Sequence, residues 1–127
     1  MNYTPEQQRA NRKLWTAWLR ANPDKQGVGS LLSNGKCCGV GAGCIVAVDN
    51  GAPIRVFEDE SGDTLFDGHS SIAPIAFKGW SGLSTHVAMY TGDDGVIKSL
   101  VQDNDNGKTF AEITDIIDSE PEGLFLS

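Results

Sequence analysis

The residues that most often carry nucleophilic or metal chemistry are scarce here: two histidines (His69 and His86) and three cysteines (Cys37, Cys38 and Cys44) in 127 residues. An odd number of cysteines, two of them adjacent, does not make a secreted disulfide framework, so reduced thiols are expected. No stretch approaches the roughly 20 apolar residues of a membrane span. No apolar run near the start has the form of a signal peptide, which leads to the expectation of a cytosolic protein without a membrane attachment. Positive charge is also in short supply, with 10 Lys/Arg against 17 Asp/Glu and a net charge of -7. Residues 1–36 hold Arg9, Arg12, Lys13, Arg20, Lys25 and Lys36 against Glu6 and Asp24, a balance of +4, which leaves -11 for the rest of the chain. A body that acidic argues against a wide grip on a phosphate backbone, so extended nucleic-acid binding is not expected. A basic partner protein, or a small anionic ligand held beside the basic first helix, remains compatible. Internal repeats, linkers and low-complexity segments are absent, and the length suits one domain, residues 1–127, able to bury a core without disulfides or metals.

What the chain does have is concentrated between Gln26 and Val48, QGVGSLLSNGKCCGVGAGCIVAV. Asn34-Gly35 favours the two positive-φ positions of a type I′ turn, so Ser30–Leu32 and Lys36–Cys38 read as the arms of a short hairpin. Beyond it, Val40, Cys44, Ala47 and Val48 recur at helical spacing and Asn50-Gly51 makes a left-handed stop. The segment from Gly39 to Val48 is read as helix, with a buried strand from Cys44 to Val48 as the alternative.

The flanking regions read more simply. Thr4-Pro5-Glu6-Gln7 is a capping box opening a helix that Asn22-Pro23 ends. Ala10, Leu14, Ala17, Trp18 and Ala21 form its apolar stripe, with Trp15 at the edge of the core. Residues 54–57 and 64–66 flank the acidic tip Glu58-Asp59-Glu60-Ser61-Gly62-Asp63 and predict a second hairpin. Pro74 and Gly82 bracket a short helix, Ile75 to Ser81, with Ile75, Ala76 and Trp80 available for burial. His86 to Tyr90 and Gly95 to Val101 predict a third hairpin, Gln102 to Gly107 a polar loop. Thr109-Phe110-Ala111-Glu112 is a second capping box, opening a helix that turns Phe110, Ile113, Ile116 and Ile117 inward before Pro121 and Gly123 close it. The last residues are expected along the surface. The resulting fold class is α+β: an antiparallel sheet of hairpins with the N-terminal and C-terminal helices packed on it.

Three chemistries are open to the residues in hand. Cys37, Cys38 and Cys44 with His69 or His86 are soft zinc ligands, but the Cys-x2-Cys spacing of a structural site is missing, and buried thiols acting as small apolar side chains explain them more simply. A cysteine nucleophile paired with His86 would need a lowered thiolate pKa and an acid to orient the imidazole. The Gly39-x-Gly41-x-Gly43 ladder at the mouth of a helix has backbone N–H groups suited to a phosphate, with Lys36, Arg12 and Arg20 as the candidate cations beside it. It lacks the lysine of a P-loop, and close helix-to-sheet packing accounts for the glycines at least as well. Neither acidic turn fits a calcium loop. No catalytic residue, metal or cofactor is therefore assigned, and the candidate ligand-binding set is Lys36, Gly39, Gly41, Gly43, Arg12 and Arg20.

The order Leu14-Trp15 to Leu19, Gln26-Gly27-Val28-Gly29-Ser30-Leu31, Cys37-Cys38-Gly39-Val40, Trp80-Ser81-Gly82-Leu83 and Asn104 to Ile113 resembles a family of small bacteriophage and prophage accessory proteins. Its members combine a "QG.G.L....CCLGV" stretch with a closing "ND.G.SF.EIAD.I" helix. The chain departs from the pattern at Gly39, after Cys38, and by adding Gly41 and Gly43. The resemblance implies a setting, the cytoplasm of a bacterial host, and no mechanism. With the missing catalytic set, the expected function is non-enzymatic binding, such as counter-defence by occupying a host protein or sequestering a nucleotide signal. A small cysteine- or metal-dependent enzyme and a virion structural or assembly component are the alternatives, and homo-oligomerisation is left open.

Overall fold

The computed structural model describes residues 2–127. It is an α+β fold of five helices and three two-stranded antiparallel ribbons. In chain order these are α1 (Pro5–Ala21), β1 (Leu32–Ser33), β2 (Lys36–Cys37), α2 (Gly39–Asp49), β3 (Val56–Glu58), β4 (Thr64–Phe66), α3 (Ile75–Ser81), β5 (Met89–Thr91), β6 (Ile97–Ser99), α4 (Leu100–Asp105) and α5 (Phe110–Ser119). Each hairpin keeps its own two-stranded ladder, β1 with β2, β3 with β4 and β5 with β6. A single bridge, Ser33 to Asp63, ties the first ribbon to the second.

Helix α2 is the centre. Eight of its residues are buried, from Gly39 to Cys44 and at Val46 and Ala47, so it is apolar on every side, as a core helix must be. Asn34 (φ 52) and Gly35 (φ 80) form the predicted turn that delivers the chain to it. Each glycine inside a helix costs about 1 kcal/mol relative to alanine. Here that cost is offset by contacts a side chain would forbid. A Cβ at Gly41 would sit 1.7 Å from the Leu31 carbonyl oxygen, and one at Gly43 2.4 Å from Phe77 Cζ and 2.9 Å from the Trp15 ring.

Both capping boxes form as predicted, Thr4 with Gln7 and Thr109 with Glu112. The buried face of α1 is not the alanine stripe, however. Ala10, Leu14, Ala17 and Ala21 face solvent, while Arg12, Trp15, Thr16 and Leu19 are buried. Size decides the rotation: an indole buries 150–250 Å², worth about 4–6 kcal/mol at 25 cal/mol per Å², which a row of methyl groups cannot match. Trp15 meets Phe77 edge-on, with ring centroids 5.1 Å apart, and its Nε1 donates to the Gly39 carbonyl at 2.9 Å. Arg12 is drawn inside with it and finds four acceptors and a ring, described below.

Three further expectations are corrected. Gln102 to Asp105 is helix rather than loop, because Ser99 caps it through Gln102 N–H and Leu100 and Asn104, one turn apart, are both buried. The third hairpin is shorter than expected. His86 lies before β5, and Leu100 and Val101 belong to α4. The chain after α5 is partly internal: Leu124 is fully buried, and residues 124–126 pair with Gly82–Ser84 through Ser84 N–H to Leu124 C=O (2.9 Å) and Leu126 N–H to Gly82 C=O (2.8 Å).

Candidate functional site

The mouth of α2 is where the sequence placed its anion site, and its donors are already engaged. Gly39 N–H donates to Asn104 Oδ1 at 3.2 Å, and Gly41 N–H to Cys38 Sγ, the helix cap, at 3.4 Å. Gly39, Gly41 and Gly43 are all buried and serve close packing. The three cations are dispersed. Lys36 is exposed, and its ammonium donates to the Asp24 carbonyl. Arg20 pairs with Asp118.

Arg12 lies in the interior. Its guanidinium donates to the carbonyls of Ser81 (3.0 Å) and Ser127 (3.1 Å), to Ser127 Oγ (3.1 Å) and to Glu120 (2.7 Å), and stacks on the Phe125 ring at 4.0 Å. It fastens the segment after α5 to α1 and α3. The six residues therefore do not form one ligand site. A shallow cleft of about 280 Å³ does gather Arg9, Arg12 and Lys13, but Asp118 and Glu120 line it too.

The cysteines are buried and reduced. Burial raises the Cys37 thiol to about 12, with the neighbouring Cys38 adding to the shift. Burial likewise raises Cys38, and Cys44 well above the ordinary range. A nucleophile needs the reverse. His86 turns Nδ1 toward the Ala73 carbonyl at 3.2 Å. Among the described residues no three His, Cys, Asp or Glu side chains converge as a metal site would require.

An amide pair, buried Asn104 and half-buried Gln26, missed in the sequence, occupies the mouth of α2 where the anion site was expected. Asn104 Oδ1 accepts from Gln26 Nε2 (2.9 Å) and Gly39 N–H, while its Nδ2 donates to the Gly27 carbonyl (2.8 Å). Gln26 Nε2 also donates to the Lys108 carbonyl (2.7 Å), and its Oε1 accepts the Phe110 N–H (3.0 Å). Next to it, Asp105 accepts the Gly29 N–H at 2.9 Å. Two neutral side chains thus tie residues 26–27 and Gly39 to the distant stretch from Asn104 to Phe110. Nothing in the local pattern marks Gln26 or Asn104 as partners, since the pairing depends on tertiary contact.

The surface offers a different kind of feature. Val56, Phe57 and Glu58 of β3 are all exposed, Val56 at 46% and Phe57 at 54%, whereas Phe66 opposite is buried. An open trough of about 610 Å³ runs along Arg55, Val56, Phe57, Asp67 and Gly68. A second, about 470 Å³, shares Asp67 as a wall and continues past Tyr3, Pro53 and Ile75, the last 74% exposed. Ile75 was expected inward, but it occupies the first turn of α3 and leaves burial to Phe77 and Trp80. Asp67, in the left-handed region (φ 52), closes the base of the hairpin: its carboxylate accepts Arg55 N–H and its own N–H donates to the Arg55 carbonyl, both at 2.8 Å. The tip is ordered by Asp59, whose carboxylate accepts from Ser61 and Asp63 and is held below its ordinary pKa chiefly by the Ser61 hydroxyl. The result is an exposed edge strand with a carboxylate border, Val56 on the face of the buried Phe66 and Phe57 on the other.

Compared with known proteins, the chain matches no protein-family profile, no curated sequence and no solved structure. Among the described residues no helix is long and apolar enough to cross a membrane.

Proposed function

We propose that this chain is a non-enzymatic binding protein whose working surface is the exposed edge strand β3 with the neighbouring start of α3, and whose partner is a protein. The observation that carries the reading is the exposure of Val56, Phe57 and Ile75 along two troughs that share a wall. Large apolar side chains gathered in this way mark interaction sites more often than scattered single ones do. The raised thiol pKa values and the dispersal of histidines support binding over cysteine or metal catalysis. The engaged N–H groups at the mouth of α2 favour a protein partner over a nucleotide signal.

The resemblance to phage accessory proteins supplies the setting: action in the cytoplasm of a bacterial host, by occupying a host protein. Affinity capture from bacterial lysate tests this. The wild-type chain is expected to retain a host protein in near-equal amount, and Phe57→Ser combined with Ile75→Ser to lose it. Capture of nothing, or equal capture by both forms, refutes the reading.

A further inference from the structure

The register of the second hairpin says which backbone groups of β3 are free. Asp59 N–H donates to the Asp63 carbonyl, and Asp67 N–H to the Arg55 carbonyl, both at 2.8 Å. In an antiparallel ladder hydrogen-bonded pairs alternate with non-bonded ones. With Phe57 opposite Leu65, the bonded pairs are therefore 55 with 67, 57 with 65 and 59 with 63. Val56 and Glu58, opposite Phe66 and Thr64, turn their N–H and C=O groups away from β4. The far side of β4 is already occupied, through the Ser33 to Asp63 bridge and the reciprocal Phe66 and His69 bonds at 2.9 and 3.0 Å. The open edge of this ribbon is thus β3, with two donors and two acceptors facing outward.

Resting on the binding-protein reading, we infer that β3 accepts an extended segment of the partner as an added strand, and that this segment alternates basic and apolar residues. Main-chain bonds to Val56 and Glu58 supply the docking, and side chains supply the choice. Side chains of a strand alternate between faces, so a partner residue beside Phe57 meets an aromatic ring and the trough behind it, while its neighbour meets Glu58. Between Arg55 and Asp67 the hairpin carries Glu58, Asp59, Glu60, Asp63 and Asp67 against Arg55, a balance of -4. That charge selects a cationic strand. It also opposes a second copy of the chain, since two such edges side by side would bring ten carboxylates together against two guanidinium groups; charged edges are a common protection against self-pairing.

The test uses the full chain with two labelled octapeptide probes, acetyl-(Lys-Val)4-amide and acetyl-(Glu-Val)4-amide, followed by fluorescence anisotropy at low salt. The Lys-Val peptide is expected to bind at least tenfold more tightly than the Glu-Val peptide and to slow amide exchange at Val56 and Glu58. Val56→Pro removes an outward N–H that the ladder does not use, a position where proline is tolerated, and is expected to weaken binding at least tenfold. The Glu58→Lys, Glu60→Lys double variant is expected to reduce the preference for the Lys-Val peptide. Unchanged exchange at Val56 and Glu58 in the presence of bound peptide overturns the inference, as does full binding by Val56→Pro. Sedimentation showing a dimer that Val56→Pro dissolves also overturns it, in favour of a second copy. If both peptides are ignored while the lysate partner is still lost on Phe57→Ser with Ile75→Ser, strand addition fails and the binding-protein reading stands.

Discussion

Replacing Asn104 by alanine isolates the amide pair that joins residues 26–27 and Gly39 to α4. The side chain makes three bonds, to Gln26 Nε2, Gly39 N–H and the Gly27 carbonyl. Gln26 Nε2 keeps its second acceptor, the Lys108 carbonyl, so that loss is partly absorbed. Gly39 N–H is left without a partner inside the core, and the half-buried Gly27 carbonyl with at most water. An orphaned buried polar group costs about 1–3 kcal/mol, so the two together with the vacated volume place the loss at about 2–4 kcal/mol, a large share of the 5–15 kcal/mol typical of a domain. Urea unfolding followed by circular dichroism reads it as a lower midpoint at unchanged slope. Asn104→Asp sharpens the test. It keeps the acceptor but sets a carboxylate against the Gly27 carbonyl, so its deficit relative to wild type should widen as pH rises through the titration of that carboxyl and narrow below it. A loss under about 1 kcal/mol for Asn104→Ala would refute the claim that this amide holds residues 26–27 and Gly39 against α4.

Other substitutions separate packing from conformational cost. Gly41→Ala places a methyl on the Leu31 carbonyl and should destabilise by at least about 3 kcal/mol or prevent folding, whereas Gly79→Ala, exposed in α3 with nothing within 4 Å of the new carbon, should stabilise by about 0.5–1 kcal/mol. Thermal unfolding of the pair reads both signs. With a thiol-reactive dye at pH 8, Cys37, Cys38 and Cys44 should stay unmodified in the folded chain and all react in denaturant; fast native labelling would contradict the raised thiols. Glu112 is held below its ordinary value chiefly by the Thr109 N–H. A carboxyl lowered in the folded state stabilises above its unfolded pKa, and that stability is lost as pH falls through the folded value. The melting temperature of wild type should therefore exceed that of Glu112→Ala at pH 7, and the gap should narrow below about pH 4.

Local rules were legible wherever one residue type has one physical use. Asn34-Gly35, Thr4 with Gln7, and Thr109 with Glu112 fix their own backbone and required no knowledge of the rest of the fold. The identity of α2 as helix also came from spacing, and packing was the simpler reading of its glycines; the nearness of Leu31, Phe77 and Trp15 shows what they pack against. What could not be read depended on tertiary competition. The alanine stripe of α1 obeyed the period of a helix but lost to Trp15. Gln102 to Asp105 looked like a loop because its polar residues are chosen for partners elsewhere, Gln26 among them. Arg12 was offered as a cation for a ligand, yet its ligand is the chain itself, in Glu120, Phe125 and Ser127. The exposed edge at β3 was visible only as a hairpin with an acidic tip. Its free side follows from register, which composition does not encode.

Gln26 and Asn104 lie 78 residues apart, so while the ribosome is still making the middle of this protein, the start of α2 has no counterpart for its first amide. Everything up to Ser99 must wait, collapsed but unfinished, until α4 emerges and supplies it. Long-range closure of that kind slows folding, and with this bond missing a shortened fragment ending before α4 should behave as a loose, protease-sensitive chain rather than as a small stable subdomain.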